Sequence, residues 1–211
     1  MWKAIGANRS VLSYIAYGLP MRFSSIPPRT AFPNQHPEQT HKEFIDKEIN
    51  THLKDGLFFC IDPCTAHLVH PVRAVEQGPK LRRIDDMRYV NAFQASPMFE
   101  MGSLEHDTKH VIQKDDAIFT HDLSKAYYKL NIERKSQPYQ CFVWGEKLIC
   151  SRVMLFGWCL ASFYFTKICR PIISLLGALL IRVINFVDDF LFSEAPEKVE
   201  TLKKLHKITP E

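Results

Sequence analysis

The sequence predicts an α+β fold in which a short antiparallel sheet is backed by helices. Three observations predict it. Short alternating apolar runs are interrupted by hairpin-type turns at Glu76-Gln77-Gly78-Pro79 and Gly145-Glu146. A longer apolar stretch, Pro171–Ile181, is bracketed by Lys167, Arg170 and Arg182, and reads as a buried helix too short to span a bilayer. Two strongly apolar runs flank a pair of adjacent acids, Asp188 and Asp189.

The elements follow in order. A helix is expected from Arg9 to Tyr17, then an extended proline-rich lead up to residue 39. Over His41–Leu57, Phe44, Ile45, Ile49 and Leu53 recur at helical spacing, and Gly56 is a C-terminal stop. Strands are expected around His67–Val75 and Leu81–Asp86. Another, Ala117–Asp122, runs into a short helical segment, Ser124–Leu130. Tyr139–Trp144 and Lys147–Met154 form a hairpin with glycine first in a two-residue turn. A long helix begins near Cys159 and passes Arg170, with a kink expected at Pro171. Ile181–Val187 and Phe190–Phe192 pair around an Asp188-Asp189 turn, and Pro196–Lys207 reads as an amphipathic helix.

Composition sets broader bounds. A chain of 211 residues with 46% apolar content makes one or two compact units and is not disordered. The net charge of +4 fits contact with phosphate but does not by itself decide a partner. Six cysteines at spacings unlike a small disulfide scaffold imply reduced thiols in an intracellular protein, cytoplasmic or nuclear. The acid-free, arginine-bearing start mimics a transit peptide, but Pro27, Pro28 and Pro33 break its amphipathic pattern.

The acids carry the chemistry. Asp122 ends one strand, and Asp188-Asp189 sits at the tip of an apolar hairpin. Adjacent carboxylates between buried strands repel each other unless a cation neutralises them. Mg²⁺ does this through oxygen ligands, with Mn²⁺ as a substitute, and a third carboxylate allows two ions about 4 Å apart. Alternation along a strand ranks Asp188 above Asp189 as a direct ligand.

Four segments then occur in one order: Lys80-Leu-Arg-Arg-Ile-Asp-Asp-Met-Arg-Tyr-Val-Asn91, Asp122-Leu-Ser-Lys-Ala-Tyr127, Phe156-Gly-Trp-Cys-Leu-Ala161 with Phe165, and Phe186-Val-Asp-Asp189. Their order and spacing resemble the successive motifs of reverse transcriptases. The opening, Trp2–Ala7, Gly18-Leu-Pro and Phe23–Pro28, resembles the lead-in of the DIRS-type retrotransposon polymerases. The resemblance implies a right-hand polymerase: a lead-in over 1–39, fingers over 40–115 and a palm over 116–211, the chain ending before a thumb. It implies that Asp122, Asp188 and Asp189 bind the metals, with the Leu123 carbonyl as a further ligand. Arg82 would grip the incoming triphosphate, Tyr127 would exclude a 2′-hydroxyl, and Phe156-Gly157 would lie beneath the template base. Asp86, Arg88 and Asn91 match a structural network. The implied partners are dNTPs and a DNA primer on an RNA or DNA template, with no membrane. The chain departs from many relatives at Leu155 and Ser162, where proline is common, at Glu76 and Gln77, where lysines are common, and at Phe186, where tyrosine is usual.

Competing signals are weaker. Cys60, Cys64, His67 and His70 are too closely spaced for a common zinc finger. His121 points away from Asp122 on a strand, and Phe163-Tyr164-Phe165 reads as helix core. The alternative function is a truncated or decayed polymerase domain that binds nucleic acid without catalysis. An RNA-directed RNA polymerase is a further rival, against which Tyr127 argues.

Overall fold

A computed structural model describes residues 1–34, 41–95, 97, 99, 104–123 and 126–199. In chain order its elements are α1 (Arg9–Tyr17), β1 (Thr30–Ala31), α2 (Lys42–Lys54), β2 (Phe58–Cys60), β3 (Leu68–Val69), β4 (Val72–Gln77), β5 (Lys80–Asp85), α3 (Arg88–Ala92), α4 (Leu104–Val111) and β6 (Ala117–Asp122). Two 3-10 turns, Ala126–Lys129 and Arg134–Tyr139, precede β7 (Cys141–Trp144), β8 (Lys147–Ser151), α5 (Ala161–Ala178), β9 (Val183–Phe186) and β10 (Asp189–Glu194). The fold is α+β. It divides into two compact units, each assembled from separated stretches: Met1–Val11, Met98–Ser124 and Ser162–Glu211 in the first, Leu12–Pro97 and Lys125–Ala161 in the second.

The second unit is built on a five-stranded sheet in the order β1-β3-β7-β8-β2. Its centre is the β7–β8 hairpin, which closes at Trp144 and Lys147 with Gly145 at φ 60, as a two-residue turn with glycine first requires. Phe142 and Ile149 are cross-strand partners with no solvent exposure, and Phe142 packs edge-on against Phe58 at 5.5 Å. Helix α2 buries Ile45, Ile49 and His52, one stripe at helical spacing.

Near the start of this unit, Gly18 adopts φ 89, and a Cβ there would stand 2.6 Å from the Glu133 nitrogen. Only glycine lets Leu19 bridge Ile132, with the Leu19 N–H donating to the Asn131 carbonyl at 2.8 Å.

The expected strand His67–Val75 is two strands. β3 pairs with β7, whereas β4 pairs with β5 in a separate hairpin. Pro71 lies between them and has no N–H to give to a ladder, so the chain changes sheets there. The helical segment expected over Ser124–Leu130 is a 3-10 turn at Ala126–Lys129; Ser124 and Lys125 lie outside the described residues.

The first unit contains a three-stranded antiparallel sheet in the order β6-β10-β9. Phe119 and Phe192 are register partners and stack at 4.7 Å with their planes 4° apart. Helix α5 starts two residues later than expected and contains Pro171; it buries Tyr164, Phe165, Ile168 and Cys169. At the sheet end that holds Ala117 and Glu194, Arg182 donates to Asp116 Oδ1 at 2.8 Å, and the Ser193 hydroxyl donates to Asp116 Oδ2 at 2.6 Å. Lys198 pairs with Glu194 at 3.1 Å. The hydrogen bond from Arg182 is the main reason the Asp116 carboxyl is held down to about 2, with Ser193 adding to it. Residues 196–199 are helical, and the rest of the expected tail helix lies outside the described residues. Among the described residues no helix is long and apolar enough to cross a membrane.

Candidate active site

The other end of the three-stranded sheet gathers the acids. Along β6, Ile118, Thr120 and Asp122 are exposed while Ala117, Phe119 and His121 are half-buried, the alternation of a strand with one open face. Asp122 is the register partner of Asp189, and Asp189 is in turn the partner of Phe186. The Leu123 N–H donates to the Asp188 carbonyl at 3.2 Å, which makes the neighbouring Asp122–Asp189 position the narrow, non-hydrogen-bonded kind. In such a pair the Cα atoms stand only ~4.5 Å apart and the side chains lie on one face. The ladder therefore sets two exposed carboxylates side by side, and like charges so placed repel.

The hairpin turn itself is displaced by one residue from its expected place. Val187 and Asp188 form it, and Asp189 is the first residue of β10. Pairing of Asp189 with both neighbours draws it into the sheet, and Val187 takes up the reversal at φ 54. Asp188 is half-buried in the turn; burial, with the Asp188 charge adding to it, pushes the thiol of Cys169 in α5 up to about 12. That thiol stays protonated and adds no charge. His121 pairs with Phe190, one position along from Asp122 and so on the opposite face. Among the described residues none of the three acids forms an ion pair, and no group of three His, Cys, Asp or Glu side chains is already disposed to hold a metal ion. Three hard, solvent-reachable oxygen donors at one sheet end nevertheless suit Mg²⁺ in kind.

The remaining expected residues belong to the second unit. Arg82 is exposed on β5, opposite Val75. The Tyr127 and Phe156 rings adjoin at 4.6 Å. Gly157 adopts φ 97, and a Cβ there would meet the Asp85 carbonyl oxygen at 2.7 Å, so glycine is required by close backbone approach. Asn91 braces this loop from both sides: its Nδ2 donates to the Gly157 carbonyl at 2.7 Å, and the Cys159 N–H donates to its Oδ1 at 3.0 Å. Asp86 and Arg88 form a two-point ion pair at 2.9 and 2.6 Å. His67 is engaged with the Pro27 carbonyl at 2.7 Å and His70 with Asp85 at 3.0 Å.

Sequence reasoning missed a buried polar cluster beneath β5. Arg83, next to the exposed Arg82, is 5% exposed and donates to Asp85 Oδ1 at 2.5 Å. Its guanidinium lies over both the Phe58 and Phe142 rings, 4.6 Å from each centroid. Burial alone would raise the Asp85 carboxyl, but Arg83 and His70 outweigh it and hold it below the usual carboxylate range. Burial raises the Tyr128 hydroxyl, against Arg83 and with Asp85 and Glu48. One signal was available: Arg83 and Asp85 are two apart on a strand and so share a face.

No protein-family model matches this chain, and no curated protein sequence matches it. Solved structures do. The foamy viral protease-reverse transcriptase in complex with dsDNA superposes with a TM-score of 0.74 at 22% identity, over 90% of this chain and 39% of that one. The same enzyme with an RNA/DNA hybrid gives 0.73 at 23% identity, over 90% of this chain and 25% of that one. A prototype foamy virus protease-reverse transcriptase mutant gives 0.72 at 22% identity, with 90% and 25% covered. The chain thus spans well under half the length of these proteins, and at such identities the likeness establishes a reverse-transcriptase-like fold.

Proposed function

We propose that this chain carries the nucleotidyl-transfer core of an RNA-directed DNA polymerase of a retroelement, with fingers over 40–115 and a palm over 116–211. The observation that supports the reading best is the narrow pairing of Asp122 with Asp189, beside a turn bearing Asp188, in a reverse-transcriptase-like fold. A sheet that sets like charges together at an open end is suited to a cationic ligand. The likeness to enzymes solved with dsDNA and with an RNA/DNA hybrid supports a primer–template as partner.

Asp122, Asp188 and Asp189, with the Leu123 carbonyl, would hold two Mg²⁺ ions, or Mn²⁺ in their place. When bound, these ions supply neutralisation of the triphosphate and acidification of the primer 3′-hydroxyl. The remaining roles belong to side chains. Arg82 presents a planar fork to triphosphate oxygens and counters charge on the leaving pyrophosphate. The Tyr127 ring fills the space a ribose 2′-hydroxyl needs, so deoxynucleotides are selected. Gly157 brings the loop backbone close beneath the template base, and Asn91 keeps that loop in place.

The test is primer extension by the purified chain with Mg²⁺, dNTPs and a DNA primer on an RNA template. Extension is expected, with Asp188→Asn lowering it by roughly 1,000-fold or more while the circular dichroism spectrum is unchanged. Tight primer–template binding with no extension sinks the enzyme in favour of a binding module. Preferred use of rNTPs points to an RNA polymerase.

A further inference from the structure

Val187 occupies the first position of a two-residue hairpin turn at φ 54. That is glycine's place in a type II′ turn, and a β-branched residue there is a backbone outlier. Such a conformation persists only where its surroundings over-determine it. One restraint is the Leu123 N–H on the Asp188 carbonyl at 3.2 Å. The other is a side chain that no motif singles out. Asn185 Nδ2 donates to the Val187 carbonyl at 2.7 Å and reaches the Asp189 carbonyl at 3.4 Å. An amide has two N–H donors, so it can serve both carbonyls, and two acceptors on one side fix which end of it faces the turn.

We propose that Asn185 is a positioning residue: its amide clamps the carbonyls on either side of Asp188 and holds the strained turn that sets where Asp188 and Asp189 stand. Its register partner is Phe190, which is in turn the partner of His121. Asn185 therefore lies on the face of the sheet opposite Asp122 and Asp189 and braces them from behind. The catalytic meaning of the clamp rests on the polymerase reading above; its geometry does not.

The experiment is a cycle of four chains: wild type, Asn185→Leu, Val187→Gly and the double variant, with Asn185→Ala as the substitute should the leucine chain not fold. Glycine adopts φ 54 without a restraint, so it should make the clamp redundant. Thermal unfolding decides the clamp. Asn185→Leu is expected to lower Tm clearly in the valine background and by less than half as much in the glycine background. Equal losses in both backgrounds, or none in either, overturn the proposal. Two further readouts test positioning as such. Asn185→Leu should weaken Mn²⁺ binding, followed by electron paramagnetic resonance, by about 10- to 100-fold. It should lower kcat for dNTP addition by a similar factor with KM little changed, and Val187→Gly should recover most of both. A coupled Tm cycle in a wild-type chain that extends no primer removes the polymerase reading and leaves the clamp standing. Extension with an uncoupled cycle does the reverse.

Discussion

In the second unit, Asp85 is 2% exposed and held by Arg83 and His70, with two phenyl rings packed against the arginine. In the first, Asp122 and Asp189 face each other across a ladder, both exposed, with no ion-pair partner among the described residues. The chain contains the means to neutralise an acid completely and uses it at Asp85. At Asp122 and Asp189 it brings charges of one sign together and leaves them reachable from solution. A carboxylate balanced inside the protein is spent on architecture, whereas one balanced from outside can bind something.

That contrast can be broken by substitution. Arg83→Met leaves Asp85 buried without its guanidinium partner, and should cost about 3–5 kcal/mol in urea unfolding, whereas Arg83→Met with Asp85→Leu should cost much less. A single-variant loss below about 1 kcal/mol would mean that Asp85 is not held by its partner, and the comparison would fail.

The middle effect concerns Asp116, an acid that is paired but lies in the first unit. Its carboxyl is lowered to about 2 when folded, chiefly by Arg182, against an ordinary value near 4. A lowered folded value means stability present above about pH 4 and lost as pH falls toward about 2. Wild-type Tm should therefore drop more steeply across that window than the Tm of Asp116→Asn, and parallel curves would refute the linkage.

The smallest effect has the opposite sign. With EDTA present, Asp122→Asn removes a like-charge neighbour and should raise Tm by about a degree or two, since cross-strand charge pairs are worth well under ~1 kcal/mol each. A fall in Tm would show that Asp122 stabilises the sheet through a partner of its own.

Much of the local structure was legible. α1 and β6 coincide with the expected Arg9–Tyr17 and Ala117–Asp122, and the β7–β8 hairpin turns at the expected Gly145-Glu146. Each depends on periodicity or turn chemistry carried by residues close together in the chain. The likeness of fold to reverse transcriptases was legible as well, in four motifs in order. The reversal at Val187-Asp188 was not. It depends on β6, more than sixty residues earlier, pairing with Asp189 and holding the Asp188 carbonyl. Nor was the change of sheet at Pro71, although proline's missing N–H was a usable sign.

By itself, then, the sequence determined α1, β6 and the reversal at Gly145-Glu146, because those properties reside in neighbouring side chains. Tertiary structure alone decided that Arg83 is buried while Arg82 is exposed, since burial of a strand face depends on what packs against it, here Phe58 and Phe142. It also decided that Asp189 meets Asp122 in a narrow pair, because register is a property of two strands and is written in neither one alone.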